Sequence, residues 1–306
     1  MLQLIWKKAV EEIVMIVRSF KATSDSKISS QINLLFPVIS YNSIMKLLRN
    51  KDVRINGKKV AKDIVVNAGD EITFYINEEI FESRFKIVYE DENIVVVFKN
   101  RKIEVCSSDE TVDTVESLLS QKLNQKCYAV HRLDMNTIGL VVFAKNLEAK
   151  KLLDESFKTK TMEKFYLALV YSKPHKEKDY MIAFLKKDEN NAMVKISDIQ
   201  QSGYDKIVTI YSLLNVYEDF SLVEVKLLTG KTLQIRAHFA HIGHPILGDD
   251  KYGETHINKK YKLKSQCLCS YKLIFHFEED CLLHYLNDKV VELDRDKIDF
   301  LSLTNS

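Results

Sequence analysis

The stretch from His131 to Asn146, HRLDMNTIGLVVFAKN, constrains this chain more than any other, because it sets one carboxylate, Asp134, in a short polar loop between two apolar runs. Upstream, Cys127-Tyr128-Ala129-Val130 reads as the end of a strand. Downstream, Leu140-Val141-Val142-Phe143-Ala144 reads as a buried strand, and Asn136, Thr137 and Gly139 supply the turn chemistry between them. A loop between two strands holds its side chains on a rigid scaffold, as a nucleophile or base requires. An Asp beside Gly also simply closes turns, and the loop by itself leaves both roles open.

At 306 residues the chain exceeds the usual size of one core, so two domains are expected. A hydrophobic content of 46% with three prolines argues against disorder. Cys106, Cys127, Cys267, Cys269 and Cys281 form no CxxC pair, which indicates neither a disulfide framework nor a zinc site; they read as reduced core thiols. The apolar stretches of residues 1–20 are broken by Lys7, Lys8, Glu11, Glu12 and Arg18, unlike a signal peptide, and no later run reaches membrane-spanning length. A cytoplasmic protein is the expectation, with no membrane contact.

The net charge is only +2, but it is unevenly spread. Residues 1–77 hold twelve Lys or Arg against seven Asp or Glu, and Lys46, Arg49, Lys51, Arg54, Lys58, Lys59 and Lys62 fall in seventeen residues with Asp52 as the only acid. Such a patch binds phosphates with salt-sensitive affinity, unless it is merely a solvated face. It also has a local shape. Ser40-Tyr41-Asn42-Ser43 opens a short helix over 44–48, with Lys46 and Arg49 on one face. Residues 53–60 read as a hairpin on Asn56-Gly57, and Gly69-Asp70 turns into a last strand over 71–76. A first helix is expected over 26–35.

Residues 78–84, with Glu78, Glu79 and Glu82, read as a linker. The expected organisation is therefore a lead segment 1–20, a small basic domain 21–77, the linker, and a larger domain 85–306. In the last, strands are expected over 86–98, 163–171, near 180–187, 205–216, 221–228 and 271–277, with helices over 147–159 and around 235–242. The class is α+β, with a mixed, mainly antiparallel sheet and a small N-terminal α/β domain.

HRLD, then Thr137 and Gly139, an apolar run and Ala144-Lys145 resemble the signature of the RluA-type pseudouridine synthases. Two further segments fall in that family's order. Lys164-Phe165-Tyr166-Leu167-Ala168-Leu169-Val170 is similar to its strand bearing an active-site Tyr. Residues 228–238, LTGKTLQIRAH, and 240–249, AHIGHPILGD, are similar to its TGRTHQIR and AHxGHPIxGD motifs. The resemblance, covering roughly 85–275, implies catalytic roles for Asp134, Tyr166 and Arg236, and substrate contacts from His131, Arg132, Thr137, Gly139, Lys231 and Gln234. Lys231 and Leu233 depart from the family's usual Arg and His. Lys99-Asn100-Arg101-Lys102 stands where it usually has Lys-Pro-x-Gly, so this turn must be built differently. Residues 40–76 resemble the S-four RNA-binding domain that many of these enzymes carry, which implies RNA contacts from Lys46, Arg49, Lys51, Arg54, Asn56, Lys58 and Lys59.

The chemistry fits these residues. Exchanging a nitrogen–carbon glycosidic bond for a carbon–carbon bond on the same uracil needs a nucleophile or base at the ribose or ring, and an ionised carboxylate serves as either. Arg236 is expected to hold both oxygens of Asp134 and keep it charged. Tyr166 offers a stacking face and a hydroxyl suited to taking the proton from carbon 5, or is a strand Tyr packed in the core. A uridine within folded RNA must be extruded to reach a buried Asp. Arg132 either fills the vacated stack or pairs locally, and His131 reads as a structural hydrogen-bonder.

Two patterns point elsewhere and fail. Gly230-Lys231-Thr232 looks like the end of a P-loop, but the Gly required five residues earlier is Val225. His238, His241 and His244 recur every three residues, yet Gly243 and Pro245 should end the helix before the third aligns. The expectation is a monomeric RNA pseudouridine synthase without cofactor or metal, acting on large-subunit rRNA. The alternatives are a tRNA-directed synthase and an inactive RNA-binding or assembly factor on the same fold.

Overall fold

The computed structural model describes residues 15–36, 39, 41–77, 81–109, 112–188 and 193–305. The chain forms two compact units: one from residues up to 84 with 108–113 and 117–126, the other from 85–107, 114–116 and 127 onward.

In the smaller unit, β1 (Met15–Lys21), β6 (Glu71–Asn77), β3 (Val53–Ile55) and β4 (Lys58–Val60) form an antiparallel sheet in the order β1-β6-β3-β4, and β2 (Ser26–Lys27) pairs antiparallel with β5 (Val65–Val66). The expected boundary at residue 20 therefore cuts a strand, because Met15–Lys21 pairs along all of β6. Helix Ile28–Leu35 buries Ile28 and Ile32, four residues apart, and helix Tyr41–Arg49 buries Ile44, Leu47 and Leu48. The second helix is longer than the expected 44–48; the expected cap, Ser40, lies outside the described residues, as do residues 1–14 of the lead segment and 78–80 of the linker. Asn56 and Gly57, with φ of 47° and 79°, make the two-residue turn that matches the twist of the β3–β4 hairpin.

The larger unit is built on one sheet. Its strands are β7 (Phe85–Glu90), β8 (Ile94–Lys99), β9 (Tyr128–Ala129), β10 (Ile138–Ala144), β11 (Glu163–Tyr171), β12 (Lys178–Asp188), β13 (Met193–Ser197), β14 (Asp205–Val216), β15 (Phe220–Leu227), β16 (Leu268–Ile274) and β17 (Val290–Glu292). The main path runs β13-β12-β14-β15-β11-β16-β10-β8-β7. Only β10 and β16 run parallel; the other pairings are antiparallel, so the class is α+β with a mixed, mainly antiparallel sheet.

The expected strand 86–98 is two strands. The Asp91 carboxylate accepts the backbone N–H of Asn93 and Ile94, and the Asp91 N–H donates to the Ile94 carbonyl, closing a tight turn. The last expected strand lies earlier, at Leu268–Ile274, and helices Val115–Leu123 and Thr255–Lys260 were not expected. Every residue of β10 is buried, as its unbroken apolar run requires. No helix among the described residues is long and apolar enough to cross a membrane.

Candidate active site

The loop from His131 to Thr137 connects β9 to β10, which pair antiparallel at Phe143↔Ala129 and Ala144↔Tyr128. Three contacts fix it. The Thr137 N–H donates to the Asp134 carbonyl at 3.0 Å, closing the turn; the Val142 N–H donates to His131 Nε2 at 3.0 Å; and Lys99 Nζ donates to the Met135 carbonyl at 2.9 Å. Lys99 is fully buried, and its ammonium also donates to the carbonyls of Asn100 and Ile103, each at 2.9 Å. Burial pulls its pKa down to about 7, against the opposing charge of Asp134.

The divergent turn after β8 is built around that lysine. Lys102 takes φ 61°, a left-handed conformation, at a cost of roughly 1–2 kcal/mol for a residue other than Gly. Arg101 forks onto both oxygens of Asp299.

Asp134 lines a cavity of about 310 Å³, at the small end of ligand pockets, with Arg132, Phe157, Lys164, Tyr166, Gly230 and Arg236 among its walls. Its Oδ2 accepts from Arg236 Nη1 at 3.3 Å; among the described residues Oδ1 takes no hydrogen bond. The expected two-oxygen clamp of Arg236 exists, but on a different carboxylate. Arg236 Nε and Nη2 donate to Asp249 Oδ2 and Oδ1 at 2.6 and 2.7 Å, and Nη2 also reaches Asp250 at 2.9 Å. The Asp249 side chain is wholly buried and also accepts the N–H of Lys251 and Tyr252. Burial would lower the Arg236 pKa, but the Asp249 and Asp134 carboxylates outweigh it and raise it. The result is a fixed, permanent cation presenting one N–H to Asp134.

Tyr166 is buried on β11, between β15 and β16. Burial, then the charge of Asp134, raises its pKa above the ordinary phenol value. The hydroxyl is therefore a donor beside a stacking face. Uptake of a proton by this hydroxyl would first require the phenol to lose its own.

The expected substrate contacts divide. Exposed Arg132 lines the cavity, as does His131, whose burial holds its pKa well below the ordinary value so that the ring is neutral. Lys231 also lines it and pairs with Asp205 at 2.7 Å. Gln234 lines it too, but its amide is spent internally: it donates to the Val208 carbonyl and Thr209 Oγ1, and accepts from Thr229 Oγ1 and the Lys231 N–H. It shapes the loop before helix Gln234–His241, whose first turn delivers Arg236. Thr137 is buried and accepts from Gln266. Gly139 does not line the cavity. At φ 121°, a Cβ there would sit 2.2 Å from the Ser270 carbonyl oxygen, so the glycine permits the parallel contact of β10 with β16 rather than a substrate contact.

The three spaced histidines have separate partners: His238 with Thr209, His241 with Asp198, and His244 with Ser172 and the Tyr171 carbonyl. Asp249, Lys99 and Lys164 are the residues that sequence reasoning left without a role. Spacing alone signalled one of them, since Lys164 lies two residues from Tyr166 and so on the same strand face.

On the smaller unit, Lys46, Arg49, Lys51, Lys58 and Lys59 are exposed, and among the described residues none is ion-paired. Arg54 pairs with Lys59 across the hairpin, its guanidinium 4.9 Å from the Tyr75 ring centroid. Asn56 is exposed, but its side chain donates to Asp70 and accepts the Glu71 N–H, which makes it a turn residue and corrects its expected RNA contact.

The family model for RNA pseudouridylate synthase matches residues 93–241, and the human RNA Pseudouridylate Synthase Domain Containing 1 structure shares the fold, with a TM-score of 0.55 at 22% identity over 73% of this chain and 96% of that one. The chain belongs to the RNA pseudouridylate synthase family. It is 30% identical to ribosomal large subunit pseudouridine synthase C of Rickettsia felis, over 87% of this chain and 96% of the relative. It is also 30% identical to an uncharacterized RNA pseudouridine synthase of Mycoplasma genitalium, over 83% of this chain and 87% of the relative.

Proposed function

We propose that this enzyme isomerises specific uridines of large-subunit rRNA, with Asp134 as the reacting carboxylate on a uridine turned out of its stack. The observation that carries the chemistry is a carboxylate held through one oxygen by a clamped Arg236, with the other oxygen free in the cavity beside Tyr166. An ionised carboxylate so held attacks carbon 1′ of the ribose, or removes a ribose proton that it returns to the same carbon as carbon 5 bonds to carbon 1′; either breaks the bond to nitrogen 1. The uracil turns against the face of Tyr166, carbon 5 bonds to carbon 1′, nitrogen 1 gains a proton and carbon 5 loses one, so the atoms balance without cofactor or metal. After its release, Asp134 is the group suited to take the carbon 5 proton, since Tyr166 keeps its own. A cavity of about 310 Å³ does not admit a duplex, which supports extrusion of one nucleotide. Arg132, exposed at the wall, is suited to the vacated stack.

The rRNA substrate is supported by the name of the Rickettsia relative, and the exposed basic residues of the smaller unit suit phosphate binding in the manner of the S-four domain. The protein is expected to act as a cytoplasmic monomer. The test is pseudouridine mapping of total RNA from cells lacking the gene, complemented with wild type or Asp134→Asn. Specific large-subunit uridines should lose modification, and only wild type should restore it. Loss of sites in tRNA alone would redirect the substrate, and restoration by the mutant would refute the role of Asp134.

A further inference from the structure

Four cationic side chains, Arg132, Lys164, Lys231 and Arg236, line the cavity. Arg236 is engaged by three carboxylates and Lys231 by Asp205. Lys164 is different: among the described residues its ammonium has no ion pair and no hydrogen bond, and lies over the Phe157 ring at 4.8 Å from the centroid. Lys164 is half-buried, and desolvation pulls its pKa down to about 8, so near neutral pH it is still mainly a cation, partly stripped of water and without a counter-charge among the described residues.

The same wall holds a second unsatisfied donor. The His131 ring lies 4.8 Å from Phe157, and its Nε2 accepts the Val142 N–H. That places the ring proton of the neutral imidazole on Nδ1, which is buried without a partner. A Cβ on Gly230 would come within 3.4 Å of the Lys164 ammonium, so the glycine leaves that side of the cation clear.

We propose that Lys164 binds a backbone phosphate of the nucleotide whose base lies against Tyr166. Lys164 and Tyr166 project from one face of β11, roughly 7 Å apart along the strand. That matches the reach from a pyrimidine ring to its own phosphate. A phosphate supplies the missing charge and acceptor, and restores to the cation what burial removed. The two ends of one nucleotide are then gripped by one rigid strand, with Asp134 at the ribose between them. This inference rests on the uridine reading above.

The test titrates the full chain at low ionic strength with uridine, uridine 5′-monophosphate and uridine 3′-monophosphate, for wild type, Lys164→Gln and Lys164→Arg. One monophosphate should bind wild type about tenfold more tightly than uridine, as expected of a charge-assisted contact. Lys164→Gln should abolish that advantage without weakening uridine itself, and Lys164→Arg should keep most of it. The favoured isomer identifies the phosphate. If Lys164→Gln keeps the wild-type advantage, or neither monophosphate outbinds uridine, the proposal is overturned. Should Lys164→Gln fail to fold, Lys164→Met in the same titration decides it, because loss of the cation removes only the phosphate advantage, whereas a packing role would weaken uridine and its monophosphates equally. Wild type that forms pseudouridine while Lys164→Gln keeps the advantage defeats the phosphate contact alone; wild type that forms none in rRNA or tRNA defeats the proposed function, with the titration still readable.

Discussion

The side chain of Asp249, which touches no solvent, ties Arg236 into the buried structure as well as to the cavity. Two buried charges joined by a two-bond fork are tolerable together, and removing one strands the other. Arg236→Ala is therefore expected to lose about 3–5 kcal/mol of stability in urea denaturation, together with activity. The double variant Arg236→Ala with Asp249→Ala should recover part of the stability and none of the activity, because the stranded carboxylate is gone but Asp134 still lacks its cation. A fully stable Arg236→Ala protein would exclude this coupling.

The turn between β8 and the Asp134 loop joins two elements through one buried amine. Lys99 spends three N–H groups on three carbonyls, one of them at Met135, beside Asp134. Its pKa falls from 10.5 to about 7 on folding, so between those values the unfolded chain binds more protons than the folded one, and this residue's contribution to stability rises with pH. Below about pH 7 both states are charged, and the full cost of burying the cation is present. The stability of wild type minus that of Lys99→Met should accordingly grow from about pH 7 to about pH 10. A difference independent of pH would mean that the carbonyls hold the proton throughout.

Across the whole molecule, the RNA contacts and the chemistry proposed above fall in different units. Replacing Lys46, Arg49, Arg54, Lys58 and Lys59 by Gln should weaken RNA binding and flatten its salt dependence, by about 0.7–0.9 in logarithmic slope for each phosphate that is no longer neutralised. Turnover at saturating RNA should be kept, and an unchanged slope would refute the patch. Much of this architecture is legible in the sequence, because strand and helix signals are local. Glu163–Tyr171, Asp205–Val216 and Leu147–Thr159 follow the expected spans, and Asp134, Tyr166 and Arg236 meet in one cavity. Met15–Lys21 was missed because a strand takes its identity from a partner more than fifty residues away. Asp91 was missed because one side chain, not a Gly or Pro, makes the turn.

Residue type and spacing determined the α+β class, and motif order, through resemblance to a known family, singled out the three residues that meet in one cavity, since periodicity and motifs are properties of neighbouring positions. Only the tertiary structure decided who pairs with whom. It gave the guanidinium fork of Arg236 to Asp249, made Gly139 a packing residue and Gln234 a loop brace, and left Lys164 without an acceptor among the described residues. Such choices depend on distances between residues remote in the chain, and on which groups are cut off from water, and neither is written in local sequence.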